Sequence, residues 1–267
     1  MLFLLPSVVS LLKLSPLSNR VFVGIRQLYA SKHLSRKLVQ SSSITNYKPK
    51  NENQQKYVNA LENHKIQICL GVGPAGTGKT LFACRSAIQG YEKGLYSKII
   101  LTRPVVSVED EEIGFLPGNL NKKMDPWVRP IMDIFMEYNY SQNDINKMIE
   151  MGDLEIAPLG YMRGRTFKKT FILADEIQNA SQKQVFMLAT RLGQDSKLAI
   201  TGDLRQSDLG KENGLADFKQ RLECSGGNGM NGISMTEFTK QDVERSQIVQ
   251  TVLDLYEPHL SSYSVYL

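Results

Sequence analysis

Short apolar runs alternate along this chain with longer segments in which apolar residues recur at helical spacing. The runs are typical of strands that are buried on both faces of a parallel sheet. The recurring positions are typical of helices that pack on such a sheet. The predicted strands are 66–72, 98–102, 154–157, 170–176, 197–203 and 233–238. The predicted helices are 51–63, 81–91, 126–150, 182–192, 214–222 and 242–256.

Alternation of strands and helices indicates βαβ units that share one sheet. The sequence therefore predicts an α/β fold, a mostly parallel sheet with helices on both faces. Between the second strand and the third helix, Val105 to Lys123 is predicted to be a long loop, and loops of that length inside a domain are usually functional.

A phosphate-binding loop, or Walker A motif, joins the first strand to a helix. Its glycines allow backbone N–H groups to approach phosphate oxygens, and the helix N-terminus faces the same anions. Lys79 adds a positive charge near the β- and γ-phosphates, and the Thr80 hydroxyl is the expected Mg²⁺ ligand. The predicted nucleotide-binding residues are Gly73, Pro74, Ala75, Gly76, Thr77, Gly78, Lys79 and Thr80.

Two carboxylates, Asp175 and Glu176, end the fourth predicted strand as a Walker B motif. Ligands of parallel α/β sheets sit beyond the carboxyl ends of the strands, so we expect this pair to lie near the phosphate loop. Asp175 suits Mg²⁺ and Glu176 suits polarisation of the attacking water. The next strand ends near Asp203 and Gln206, which are candidates for sensing the γ-phosphate; a plain turn is the alternative.

Charge is divided unevenly along the chain. The first 50 residues hold eight of the 32 basic residues and none of the 27 acidic ones, so the remainder holds 24 basic and 27 acidic residues, a net charge of −3. The body of the chain is therefore not a generally basic nucleic-acid binder, and any such surface is a local patch. The three cysteines form no C-x-x-C pair and the three histidines are scattered, which favours reduced thiols and disfavours a zinc site.

Residues 1–44 are serine-rich, basic and free of acidic residues, as in organelle transit peptides. We expect import into mitochondria, with plastids or the cytoplasm as alternatives; a disordered basic tail has the same composition. The apolar stretch Leu2–Leu14 is too short to cross a bilayer as a helix, so no membrane insertion is predicted.

Two further side chains have weaker support. Gln54 carries a carboxamide, which can donate to and accept from the edge of adenine at once. Arg245 lies at the start of the last predicted helix and could stabilise charge on a transferred phosphoryl group. A surface glutamine and a surface salt bridge with Asp242 or Glu244 are the respective alternatives.

Taken together, the motifs resemble the PhoH family of phosphate-starvation ATPases in order and spacing, over about residues 48–258. Residues 259–267 then form a C-terminal tail. The segments that carry the resemblance are Gly71–Thr80, Leu101–Val105, Gly114–Gly118, Asp175–Asn179 and Thr201–Gln206, flanked by Asn53-Gln54 with Tyr57 and by Asp242–Arg245.

The resemblance implies a RecA-like core similar to the N-terminal half of superfamily-1 helicases. It implies hydrolysis of ATP with Mg²⁺, assembly into a homo-oligomeric ring and a role on RNA. It places Gln54 at adenine, Gln206 near the γ-phosphate and Arg245 as an arginine finger. Ile177, Arg205 and Ser246 depart from the residues usual in the family, and none of these changes removes a catalytic group.

Three functions compete. An RNA-linked ATPase is favoured by the helicase-like order of the motifs and by the basic residues at positions 163, 165, 168 and 169. A nucleotide-dependent switch that binds a protein partner is suggested by the acidic run Glu109–Glu112 and the apolar pair Phe115-Leu116. A small-molecule kinase shares the phosphate loop, but kinases of that fold usually lack an adjacent Asp-Glu pair.

Overall fold

Six parallel strands form the central sheet in a computed structural model of the protein. They are β1 (Ile68–Val72), β2 (Lys98–Arg103), β3 (Leu154–Pro158), β4 (Thr170–Ala174), β5 (Lys197–Gly202) and β6 (Ile233–Glu237). Their order across the sheet is β3-β2-β4-β5-β1-β6, and every pairing is parallel. Strand β5 therefore separates the strand before the phosphate loop from the strand before Asp175 and Glu176. The α/β fold with a parallel sheet is as predicted.

The structure describes residues 47–104, 120–207, 209, 213–226, 230–244 and 251, all within the compact unit Asn46–Leu267. The predicted leader 1–44, the loop with Glu109–Glu112 and Phe115-Leu116, Arg245 and the tail 259–267 lie outside the described residues. In the part that is described, no helix combines the length and the apolar composition that crossing a bilayer requires.

Helices cover both faces of the sheet. They are α1 (Glu52–Glu62), α2 (Lys79–Glu92), α3 (Leu120–Glu137), α4 (Gln142–Met151), α5 (Gln182–Ala189) and α6 (Gly214–Cys224). Side chains of a strand alternate between faces. On one face Leu70 and Leu198 join a buried cluster with Leu188 of α5 and Leu215 of α6. On the other, the Cys69 thiol donates to the backbone oxygen of Ala60 in α1, at 3.4 Å.

The stretch 126–150 is two helices rather than one. Helix α3 already begins at Leu120, and a turn separates it from α4, where Asn139 has a left-handed φ of 63°. Ser141 and Asp144 form a capping box that starts α4. Residues 120–123, which were predicted to end the long loop after the second strand, belong to α3 instead.

The last predicted helix does not begin at Asp242. Residues Lys240–Asp242 form a single 3-10 turn and Val243 is extended. The Asp242 carboxylate accepts hydrogen bonds from the Thr239 N–H (2.7 Å) and the Asn53 amide (2.9 Å), which fixes this turn against α1. Beyond Glu244 only Thr251 is described, and it is helical.

Candidate active site

The phosphate loop connects β1 to α2 in a conformation that needs glycine. Gly73, Gly76 and Gly78 have φ values of 146°, 85° and 86°, which L-residues rarely adopt. A Cβ on Gly73 would also lie 2.3 Å from the Phe238 backbone oxygen. The Gly73 N–H donates to the Gly202 oxygen at 3.1 Å, so the loop is fastened to the end of β5.

Lys79 lies inside the loop at the first residue of α2. Its ammonium donates to the backbone oxygens of Gly73 and Pro74, both at 2.6 Å, and the residue is 8% exposed. Burial lowers the pKa of Lys79, and the nearby carboxylates of Asp203 and Glu176 oppose that shift. These anions favour the charged form, in which the side chain can donate to phosphate oxygens.

Asp175 lies directly opposite the start of α2. Its Oδ1 accepts from the Thr80 hydroxyl at 2.8 Å and also from the Thr201 hydroxyl on β5. Its backbone N–H donates to the Thr102 oxygen at 3.0 Å, which continues the β2–β4 ladder beyond Ala174. A hydroxyl and a carboxylate side by side are hard oxygen donors, so this pair fits a Mg²⁺ ion.

Glu176 follows in a left-handed conformation, with φ 55° and ψ 38°. Such a backbone is uncommon for a residue other than glycine, and strained residues concentrate at functional sites. Its Oε2 accepts from the Gln178 amide at 2.6 Å, and its Oε1 lies 3.7 Å from the Arg103 guanidinium at the end of β2. The carboxylate is therefore held from two sides, by the end of β2 and by the turn that follows it in the chain.

The end of β5 places Asp203 and Gln206 beside these groups. The Gln206 amide donates to Asp203 Oδ2 at 3.1 Å, and the Arg205 N–H donates to Oδ1 at 3.1 Å. A cavity of about 180 Å³ opens here at the carboxyl edge of the sheet. Its lining is drawn from all three motifs: Ala75, Gly76, Gly78, Lys79, Thr80, Leu81, Asp175, Glu176, Gly202, Asp203 and Gln206.

Gln178 was not assigned a role from the sequence. Its side chain, 1% exposed, donates to Glu176 and accepts from the Asp203 N–H at 3.2 Å, so it links the two strand ends that flank the cavity. A Cβ on Gly202 would lie 2.7 Å from the Gln178 oxygen, so a larger residue there would displace this side chain. The sequence feature that could have indicated this role is a glutamine two residues after the Asp-Glu pair.

Gln54 lies beside the loop but does not line the cavity. Its amide donates to Glu244 Oε1 at 2.8 Å and to the Thr77 oxygen at 3.3 Å, and its own oxygen accepts from the Lys50 N–H at 2.8 Å. In this structure the Gln54 carboxamide makes its hydrogen bonds to other protein groups, and its contact with adenine stays a prediction.

A larger cavity, of about 610 Å³, lies between α1 and β6, and no residue of the three motifs lines it.

Comparison with known proteins agrees with the motifs. The sequence model of the PhoH family, described as PhoH-like protein, matches residues 46–257. The chain is 42% identical over 206 residues to PhoH-like protein from Bacillus subtilis (strain 168), covering 76% of this chain and 62% of that protein. It is 37% identical over 217 residues to Protein PhoH from Escherichia coli (strain K12), covering 78% and 57%. The chain thus spans less than two thirds of these relatives' length.

Solved structures resemble the chain only weakly. The Sulfolobus solfataricus SWI2/SNF2 ATPase core in complex with dsDNA superposes with a TM-score of 0.41 and 15% identity, over 74% of this chain and 47% of that one. The Pyrococcus furiosus Hef helicase domain gives a TM-score of 0.39 and 14% identity, over 78% and 40%.

Proposed function

The chain belongs to the PhoH family, and from that premise we propose that it binds ATP with Mg²⁺ and hydrolyses it. One observation carries the proposal: Lys79, Thr80, Asp175 and Glu176 meet around one cavity at the carboxyl edge of the sheet. The family match and the fold support nucleotide binding. A phosphate cradle, a Mg²⁺ site and a carboxylate for water are the parts that NTP hydrolysis needs.

Binding follows from the loop. Its backbone N–H groups and the N-terminus of α2 face the phosphates, while the Lys79 ammonium turns from the loop carbonyls to phosphate oxygens. Thr80 and Asp175 would hold Mg²⁺, which neutralises charge on the β- and γ-phosphates when bound. In the protein alone, the Thr80–Asp175 hydrogen bond keeps these two side chains together.

Hydrolysis depends on the carboxylate of Glu176. It accepts a proton from the attacking water, and the hydrogen bond from Gln178 fixes which of its oxygens faces the cavity. Gln206 lies at the end of β5, where its amide can exchange Asp203 for a γ-phosphate oxygen. A kinase reaction is disfavoured because kinases of that fold usually lack an adjacent pair such as Asp175-Glu176.

Lys79→Ala tests the cradle. The loss of at least one charge-assisted hydrogen bond, worth about 1.5–3 kcal/mol, should weaken ATP binding about 10- to 150-fold. Equilibrium binding of labelled ATP measures this, with thermal unfolding to show that the variant is folded. Lys93→Ala, exposed just beyond the other end of the same helix, is the matched control and should bind as the parent does. Unchanged binding by Lys79→Ala would place the nucleotide elsewhere.

Gln178 should act by positioning Glu176. Gln178→Met keeps the length of the side chain and removes both hydrogen bonds, so we expect kcat to fall about 10- to 100-fold while the KM for ATP changes little. A purely structural role would lower the unfolding temperature and leave kcat per folded molecule unchanged. Steady-state phosphate release measures both constants; Gln142→Met, on the exposed face of α4, is the control.

Coupling of hydrolysis to RNA is the finer proposal. It rests on the helicase-like order of the motifs and on a local basic surface. Arg165 contributes less to that surface than its sequence suggests, because both of its terminal nitrogens bond to Glu155 and it stacks 4.7 Å over the Phe167 ring. The proposal fails if RNA neither binds nor changes the ATPase rate. The rival partner-binding switch rested on residues outside the described part of the chain.

The composition of residues 1–44 supports a second proposal, import into mitochondria. The relatives compared are bacterial and lend it no support. Fused to a fluorescent protein, residues 1–44 should direct it to the organelle, and a fusion in which the basic residues Arg20, Arg26 and Arg36 are changed to glutamine should not. Fluorescence spread through the cytosol with the unchanged leader would reject the proposal.

A further inference from the structure

We propose that single-stranded nucleic acid binds a surface formed by Tyr161, Arg163, Lys168, Lys183 and Phe186, which we term the basic-aromatic face. The inference rests on the proposed role on RNA and assigns that role to a place. Tyr161 and Arg163 belong to the turn after β3, Lys168 lies between that turn and β4, and Lys183 and Phe186 lie on α5.

Exposed aromatic rings are the first observation. Phe186 is 73% exposed and Tyr161 is 60% exposed, more than any other large apolar side chain in the described part of the chain. Burial of a ring normally stabilises a protein, so two rings left in water mark a surface with a partner. Rings of this kind offer flat faces on which unpaired bases stack.

Charge is the second observation. Residues 159–169 and 180–194 contain six Lys and Arg and no Asp or Glu, although the chain after residue 50 has a net negative charge. Arg163, Lys168 and Lys183 have no carboxylate within ion-pair distance among the described residues. Cations without a carboxylate partner beside two exposed rings complement a phosphate backbone with exposed bases.

The elements that carry these residues pack against one another. Leu159 and Met162 of the turn lie in the same buried cluster as Val185 and Leu188 of α5. Backbone hydrogen bonds hold the segment with Lys168 against the residues that follow α5. The Phe167 N–H donates to the Arg191 oxygen at 2.9 Å, and the Gly193 N–H donates to the Phe167 oxygen at 2.7 Å. The buried cluster therefore holds both elements in place, and their polar and aromatic residues on the opposite side are exposed to solvent.

The face is joined to the catalytic groups through short elements. The turn follows Pro158, whose partner across the β2–β3 ladder is Arg103, and Arg103 contacts Glu176 at 3.7 Å. Helix α5 begins at Gln182, just after the Ile177–Asn179 turn that contains Gln178. Nucleic acid on this face can thus shift the strand ends that hold Glu176, so binding should also change the rate of hydrolysis.

The experiment measures fluorescence anisotropy of the full chain with labelled oligouridylate and oligodeoxythymidylate of about 12 nucleotides. The combined variant Tyr161→Ala and Phe186→Ala should bind about 25-fold or more weakly, because each stacked base is worth about 5- to 150-fold. Arg163→Glu with Lys183→Glu should weaken binding and flatten its salt dependence. Tyr161→Phe, which keeps the ring, should bind as the parent does. Lys56→Glu with Met136→Ala, exposed on α1 and α3 and not on this face, is the matched control.

Basal ATPase activity without nucleic acid should be the same in all these variants, because no substituted residue lines the nucleotide cavity. If the parent and the aromatic variant bind equally well, the assignment of binding to this face is wrong, and the proposed role on RNA is retained. If the parent binds neither oligonucleotide, both are wrong. Binding to anionic lipid vesicles alone, or a change in assembled mass caused by the aromatic substitutions, would also overturn the inference. Preference between the two oligonucleotides identifies RNA or DNA as the ligand.

Discussion

Replacing Glu176 with glutamine should leave ATP bound and lower its turnover about 10²- to 10⁴-fold. Glutamine has the size of glutamate but cannot accept a proton, and general-base catalysis contributes about that factor. The phosphate cradle should be intact, because the hydrogen bonds of Lys79 go to the loop and that of the Thr80 hydroxyl goes to Asp175, not to Glu176. The variant should therefore trap the nucleotide-bound state.

Phosphate release at saturating ATP measures the turnover, and binding of labelled ATP measures the affinity. Glu150→Gln, an exposed carboxylate on α4, makes the same chemical change away from the cavity and should have no effect. An unchanged rate in Glu176→Gln would mean that another group activates the water. Loss of binding would mean that the substitution disturbs the left-handed turn at residue 176 and not the proton transfer.

Arg245→Ala should bind ATP normally and hydrolyse it about 10³- to 10⁵-fold more slowly, the contribution that arginine fingers make in phosphate-loop enzymes. Family resemblance is the basis for this prediction, since Arg245 lies outside the described residues. Its described neighbour Glu244 is anchored at the nucleotide site. The Glu244 N–H donates to the Gly76 oxygen at 2.9 Å, and its carboxylate bonds to Gln54 and Lys50.

We expect Arg245 to act across a subunit interface of a ring. Arg245→Ala and Glu176→Gln are then each inactive alone, but a mixture regains activity wherever an intact arginine meets an intact glutamate at a mixed interface. The ATPase rate of mixtures at several ratios measures this, with the assembled mass determined in ATP. If subunits that co-assemble show no recovery, the arginine acts at the nucleotide site of its own chain. The bonds of Glu244 to Gly76 and Gln54 keep the residue before Arg245 close to that site.

Local sequence predicted the main parts of the site because each part is a short segment with its own chemistry. The glycines of Gly73–Thr80 can adopt the required φ values, and the continuous apolar run before Asp175 is typical of a strand that is buried on both faces. The shared carboxyl edge of parallel strands then predicted that these segments would meet. The sequence did not predict where α3 ends, because one apolar periodicity continues past the capping box at Ser141.

By itself, then, the sequence determined the strands, the phosphate loop and the Asp-Glu pair, since these depend on local conformation and on burial. Only the tertiary structure decided the strand order, which places β5 between the two halves of the site. Only it showed that Gln178 connects Glu176 to Asp203, that Gln54 donates a hydrogen bond to Glu244, and that Tyr161 and Phe186 are both exposed. These are contacts between residues far apart in sequence or on separate elements, and no local pattern specifies which partner a buried amide or an exposed ring will have.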